Sequence, residues 1–213
     1  MPGLSGSVPE STARRSRGRP RSFDREDVLR SAIKVFWSRG YEASSIADLT
    51  EALGIKRSSL YHEFGDKEGL FLEAIDLYIV EKIVPCLDCL EKGQALAEDL
   101  GDSFNSFIAV ICNSETPRGC PVTSALADAA GSLPRARTKL TDSMTVLDGA
   151  FTQRLEKARL DGTLSTACDA DVMAKLFVNV MLGLSVRARA GDLLETLQAI
   201  ADCAVVRLLE PHR

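Results

Sequence analysis

Residues 45–66 read S-I-A-D-L-T-E-A-L-G-I-K-R-S-S-L-Y-H-E-F-G-D, and this stretch decides the fold. Ser45 to Asp48 has the form of a capping box in which Asp48 stands in for the usual Glu. A short helix through Ile46, Leu49 and Leu53 follows, and Gly54 breaks it. Ile55 leads into a second short helix over Arg57-Ser58-Ser59-Leu60-Tyr61-His62, and Gly65-Asp66 breaks the chain again. Two short helices joined at a glycine turn form a helix-turn-helix pattern. The second helix would bury Ile55, Leu60 and Phe64 and present Lys56, Arg57, Ser58, Ser59, Tyr61 and His62. Arg and Lys donate to guanine O6 and N7, and Ser or His can make smaller contacts to bases or phosphates. The helix start at Ser44-Ser45 offers unpaired backbone N–H groups to a phosphate, and so does Asp66-Lys67, where Lys67 adds a charge.

Outward from this stretch the pattern stays helical. Upstream, Asp24 can cap a helix with Val28, Leu29, Ala32, Ile33, Phe36 and Trp37 on one face, stopped by Gly40. Residues 1–22 are rich in Pro, Gly, Ser and Arg and have little to bury, so they read as a disordered arm. That arm carries Arg14, Arg15, Arg17, Arg19 and Arg21 with no acid among them. Downstream, Asp66 can cap a long helix from Lys67 to about Val84, which Pro85 ends or kinks. Further helical segments fall at 86–92, 95–113, 121–130, 134–160, 169–189 and 192–209, separated by Gly and Pro breakers. No strand alternation and no internal repeat is visible. The chain therefore reads as all-α: a basic arm at 1–22, a three-helix DNA-binding domain at 23–66, and a helical bundle at 67–213.

Composition agrees. The 213 residues are 45% hydrophobic, 26% charged and only 6% aromatic, which excludes a chain disordered throughout, collagen-like or membrane-spanning. Formal net charge is −4, but the charge is divided. Met1–Gly65 holds 11 basic and 8 acidic residues, net +3, against 15 and 22, net −7, for the rest. The N-terminal part is thus suited to an anion and the bundle is not. The longest apolar stretch, Val172–Val186, is interrupted by Lys175 and Asn179. Residues 1–22 lack the apolar core of a signal peptide. A cytoplasmic protein with reduced thiols at Cys86, Cys89, Cys112, Cys120, Cys168 and Cys203 is expected.

The span from Arg17 to Phe71 resembles the tetracycline-repressor (TetR) family. The resemblance rests on Phe36…Gly40-Tyr41, Ser45-Ile46-Ala47, Leu53-Gly54-Ile55, Leu60-Tyr61 with Phe64, and Lys67-Glu68-Gly69-Leu70. It implies a homodimer whose N-terminal helices bind a palindromic double-stranded DNA operator. The C-terminal helices would form the dimer and enclose a pocket for a small-molecule effector. By the same resemblance Lys56, Arg57 and Ser58 would meet base edges, and Ser45, Tyr61, His62 and Lys67 would meet phosphates. Arg17, Arg19 and Arg21 would enter the minor groove. Glu63 departs from this pattern, since an acid there faces a negative surface unless it turns inward or pairs with Arg57 or Lys67. The later P-R-G-C-P-V-T-S-A-L resembles a subgroup of the family that carries P-R-G-C-x-V near the pocket.

Other features are weighed on chemistry. Cys86-Leu87-Asp88-Cys89 has the spacing of half a zinc site or a redox pair, but no second such pair exists and the only histidines are His62 and His212. No metal and no cofactor is expected. No nucleophile–His–acid set and no phosphate-cradling loop supports catalysis. The segments 169–189 and 192–209 are apolar on more than one face, which suits a four-helix dimer interface or a buried pair within a monomer. Apolar content nominates Phe104, Phe107, Ile111, Phe151, Met173 and Phe177 for the effector pocket, with Cys120 beside them. Pro121 suits a first helical turn, which would set Cys120 at a helix N-terminus near Arg118 and lower its thiol pKa. Cys120 then reads either as a thiolate sensor of oxidants or electrophiles or as a small residue filling a tight turn. The functional reading is a transcriptional regulator, a repressor released by a small molecule or reactive species. The alternatives are a helical-bundle enzyme or small-molecule carrier without specific DNA binding, and an architectural DNA-binding protein without a ligand.

Overall fold

Capping chemistry starts each of the first helices. In the computed structural model, which describes residues 24–210, the Asp24 side chain accepts from the backbone N–H groups of Glu26 and Asp27 and opens α1 (Arg25–Arg39). The Ser45–Asp48 capping box opens α2 (Ile46–Leu53), and Gly54, left-handed at φ 63°, closes it. Next comes α3 (Arg57–Phe64), and Asp66, accepting from the Gly69 N–H at 2.6 Å, caps α4 (Lys67–Tyr78). Phe36, Trp37, Tyr41, Leu49, Leu60 and Phe64 form one core with Leu70 and Phe71 of α4. The rings of Phe36 and Phe71 meet edge-on at 4.9 Å. The three N-terminal helices are thus completed by the first turns of the helix that leads into the bundle.

Pro85 does not end that helix. A π-helical segment, Ile79–Ile83, follows α4 and leads into α5 (Val84–Asp88), with Pro85 in the first turn of α5. The Val84 N–H bonds to the Ile79 carbonyl, a wider i→i−5 turn. A proline clashes with the carbonyl four residues back in a regular helix, and the widened turn just before Pro85 lets the rod continue. A 3₁₀ turn, Cys89–Glu91, completes it.

The remaining helices are α6 (Leu96–Ile111), α7 (Ala127–Ala129), α8 (Pro134–Leu160), α9 (Ala170–Ala190) and α10 (Leu194–Leu209). Apart from the 121–130 segment, their ends fall within a few residues of the sequence expectation. That segment is instead a second π-helical stretch, Val122–Leu126, leading into the single turn of α7. The bundle packs α8 on α9 and α10 on α6, with α9 touching both α6 and α10. Phe104, Phe151 and Phe177 meet at its centre with ring centroids 5.9–6.3 Å apart. Beside them a buried ion pair, Arg154 Nε to Asp99 Oδ2 at 2.8 Å, ties α8 to α6. Among the described residues no helix is long and apolar enough to cross a membrane.

Candidate DNA interface and effector cavity

α3 is short and one-sided. Leu60 and Phe64 are buried and Ile55 is half-buried, while Lys56, Arg57, Ser58, Tyr61 and His62 are exposed. Lys56 is the N-cap and makes no side-chain cap bond; the Ser59 N–H is taken by the Lys56 carbonyl at 2.9 Å, which leaves the Arg57 and Ser58 N–H groups of the first turn open. Arg57 folds back along its own helix, with Nη2 3.3 Å from the Tyr61 hydroxyl and its guanidinium 5.5 Å over the Tyr61 ring. Ser59, expected on the exposed face, is half-buried. Glu63 neither turns inward nor pairs: it is exposed and joins no ion pair among the described residues.

Two expected phosphate contacts are already engaged. The Ser45 hydroxyl donates to Asp48 Oδ2 at 2.6 Å, and its backbone N–H bonds the same oxygen at 3.0 Å. These bonds, followed by the Arg39 guanidinium at 2.9 Å, hold the Asp48 carboxyl below its ordinary pKa. What the start of α2 still offers an anion is its next backbone N–H groups. Lys67 is half-buried, with Nζ donating to the Tyr41 carbonyl at 3.0 Å and lying 4.1 Å over the Tyr41 ring. Lys67 therefore anchors the start of α4 to the α1–α2 turn. Arg17, Arg19 and Arg21 lie outside the described residues.

In the bundle, a cavity of about 150 Å³ lies between α4 and its π-helical continuation, α6, the second π-helical stretch, α8 and α9. Its apolar lining is Ile79, Ile83, Phe107, Val122, Val146, Leu147, Met181 and Leu182, joined by Cys120, Thr123 and Ser143. Its charged members are Asp142 and the Lys139–Asp76 pair at 2.6 Å. Two wider clefts, of about 580 and 450 Å³, are rimmed by charged side chains such as Asp88, Glu91, Glu156 and Lys157 in one, and Arg30, Lys34, Glu81 and Lys82 in the other. The apolar lining sets the smaller cavity apart as a site for an organic molecule.

Of the residues nominated from sequence, Phe107 and Cys120 line this cavity. Phe104, Phe151 and Phe177 pack on one another with no exposed surface, and Ile111 and Met173 are buried outside its lining. The largest side chains fill the middle of the bundle, and the cavity opens to one side of them. Sequence reasoning missed Ile79, Ile83, Met181 and Leu182, whose role arises only where separate helices converge.

Cys120 corrects an expectation. It is 3% exposed, and burial pushes its thiol pKa up. The Tyr78 hydroxyl and the backbone N–H groups of Val122 and Thr123 pull the other way without overcoming burial. Arg118 gives no help: its Nη2 donates to the Asp192 carbonyl at 2.6 Å, at the turn between α9 and α10. The dipole argument fails because a helix terminus favours a thiolate only while solvent or a counter-charge shares the cost of desolvation. Cys86 is buried too, and its thiol is likewise raised by burial. Among the described residues no group of three or more His, Cys, Asp and Glu could hold a metal ion.

Known proteins share this arrangement. Residues 28–74 match the family of bacterial regulatory proteins described as tetR, and residues 97–202 match the tetracyclin repressor-like C-terminal domain. The HTH-type transcriptional repressor ComR of Escherichia coli (strain K12) is 35% identical over 191 residues, covering 88% of this chain and 90% of ComR. BdcR, an HTH-type transcriptional repressor of the same strain, is 30% identical over 192 residues, covering 88% and 90%. Among solved structures, a cysteine mutant of the TetR family transcriptional regulator CifR, complexed with 26-bp double-strand operator DNA, superposes with a TM-score of 0.80. It is 35% identical and covers 88% of this chain and 98% of CifR. With one family matched at both ends of the chain and a relative of this identity along most of it, the chain belongs to the TetR family of bacterial transcriptional regulators.

Proposed function

We propose that this protein is a cytoplasmic, homodimeric repressor that binds a palindromic operator and leaves it when a small molecule enters the bundle. Residues 23–66 would be the DNA-reading unit and 67–213 the effector and dimer unit, with the basic arm at 1–22 reaching along the duplex. The observation that carries the reading is α3. One short helix anchored by Leu60 and Phe64 exposes Lys56, Arg57, Ser58, Tyr61 and His62 together, and neither Lys56 nor Arg57 is held in an ion pair among the described residues. We assign base contacts to Lys56, Arg57 and Ser58, and backbone contacts to Tyr61, His62 and the start of α2. The operator complex of CifR, 35% identical to this chain, supports DNA binding as the function. Family membership leaves the enzyme-or-carrier reading without support.

The dimer follows from surface left uncovered. Val172, Leu176 and Val186 are 55%, 44% and 59% exposed. With Asn179 and Gly183, also exposed, they fall at i, i+4, i+7, i+11 and i+14, one stripe along α9. On α10, Leu194 and Val206 are exposed too. To read a palindrome, the two recognition helices of such a dimer must stand about 34–36 Å apart, one turn of duplex.

The test is binding to the DNA upstream of the protein's own gene. Lys56→Ala and Arg57→Ala should each relax sequence preference and cost about 1–3 kcal/mol if the contact is bidentate to guanine. Unchanged affinity and specificity in both variants would remove α3 as the reading helix.

A further inference from the structure

The size and polarity of the bundle cavity select a ligand class, and this deepens the effector reading on which it rests. A cavity of about 150 Å³ lined by Leu, Ile and Phe is the size that accepts a benzene ring, and the cavity here has that volume and that kind of lining. An acyl chain or a fused ring system would exceed that volume.

Negative charge is excluded as well. The one cation on the lining, Lys139, is held by Asp76 at 2.6 Å, and Asp142 adds a negative charge nearby. A carboxylate or phosphate would find no free partner. The hydroxyls sharpen the point. Ser143 Oγ donates to the Lys139 carbonyl at 2.7 Å and Thr123 Oγ1 to the Cys120 carbonyl at 2.9 Å, so both protons are spent inside the protein. Ser143 keeps oxygen lone pairs, which can accept one O–H from a ligand. Few donors remain for a ligand carbonyl. The Tyr78 hydroxyl, buried and without a partner in full hydrogen-bond geometry, lies beside the Cys120 thiol and not on the cavity lining.

We infer that the effector is a compact, single-ring-sized, largely apolar molecule that carries no negative charge and whose polar group, where it has one, donates a hydrogen bond. Ile79 and Ile83 from one π-helical segment and Val122 from the other line the cavity, so such a molecule would sit between the two irregular turns of the fold.

The probes are toluene, phenol, benzoate and naphthalene, used with the full-length protein. Thermal unfolding reads binding, and fluorescence anisotropy on the operator reads release. Toluene and phenol should raise the unfolding midpoint, and benzoate should bind at least about tenfold more weakly than toluene, because its charge would be buried unpaired. Naphthalene should be refused by the unmodified protein and accepted by Met181→Ala or by Leu182→Ala, the second a half-buried position that spares the centre of the core. The inference is overturned if benzoate or naphthalene stabilises the unmodified protein as well as toluene does. It is equally overturned if no neutral probe shifts the midpoint up to its solubility. If toluene binds and the operator stays occupied, the ligand class stands and the effector role of the cavity fails.

Discussion

Replacing Gly69 with Ala should disturb the recognition helix from outside it. Gly69 lies in the first turn of α4, and its N–H satisfies the Asp66 cap at 2.6 Å. A Cβ built there would stand 2.1 Å from the Phe64 carbonyl oxygen and 3.3 Å from its carbon. Carbon and carbonyl oxygen rest at about 3.3 Å or more, so the end of α3 and the start of α4 must part by roughly 1 Å. That obstacle is backbone, and no side-chain rotation relieves it. In an open helix Ala would stabilise by about 1 kcal/mol over Gly. Here a forced fit costs about 1–3 kcal/mol, so the net change should lie between neutral and about 2 kcal/mol destabilising. The larger consequence is directional. Phe64 ends α3 and anchors it in the core, so moving its carbonyl would tip Lys56 and Arg57 away from the bases proposed for them. Losing one good base contact is worth about 1–3 kcal/mol, or 5- to 150-fold in operator affinity. Urea denaturation and operator anisotropy at one fixed salt concentration read the two effects separately. A Gly69→Ala protein that is about 1 kcal/mol more stable and binds the operator unchanged would show that α3 and α4 do not approach this closely.

Removing residues 1–21 takes away five arginines, so the slope of log affinity against log salt should become shallower by up to about 4–5. Specific binding should persist more weakly, and an unchanged slope would make the arm a bystander. Leu176→Asp places a charge in the middle of the exposed α9 stripe and should give a folded monomer with greatly reduced operator affinity. Sedimentation of that variant as a dimer would move the interface elsewhere. In alkylation followed by mass spectrometry at neutral pH, exposed Cys203 should label first and buried Cys120 among the last. Cys120 labelling faster than a free thiol would reverse the burial argument.

How much could be read in advance depended on how local the cause was. The caps at Asp24, Ser45 and Asp66 are chemistry within three residues, and each opens its helix as expected. The apolar stripe of α1 is buried at all six positions read from its spacing. Pro85 was legible as a disturbance, yet its outcome depended on whether the preceding turn could widen. Lys67 shows the same limit at the DNA face. Its position beside a helix start suggested a phosphate, but the Tyr41 carbonyl and ring, 26 residues away, claim the ammonium first. The Asp99–Arg154 pair, 55 residues apart, left no sequence signal at all.

The same distinction bears on how the two units could communicate. The face of α4 toward α1 carries Glu73, ion-paired with Arg25, and just beyond its end Glu81 meets Arg30 at 2.8 Å. Toward the cavity, the same rod presents Asp76 and then Ile79 and Ile83 of its π-helical continuation. A molecule that displaces the second set moves the helix to which the first set is tied. Exposed ion pairs are individually worth little, so these contacts register the position of α4 more than they hold it. Arg189 of α9 adds a second tie, donating to the Trp37 carbonyl of α1 at 3.3 Å, while Gly119, beside Cys120, packs against Ser185 and Arg189. The cavity, the exposed stripe of α9 and helix α1 of the N-terminal unit thus share contacts through two elements, α4 and α9. A coupling of about 1–3 kcal/mol, enough for 5- to 150-fold release, requires only that the ligand favour one position of α4 over another by that amount.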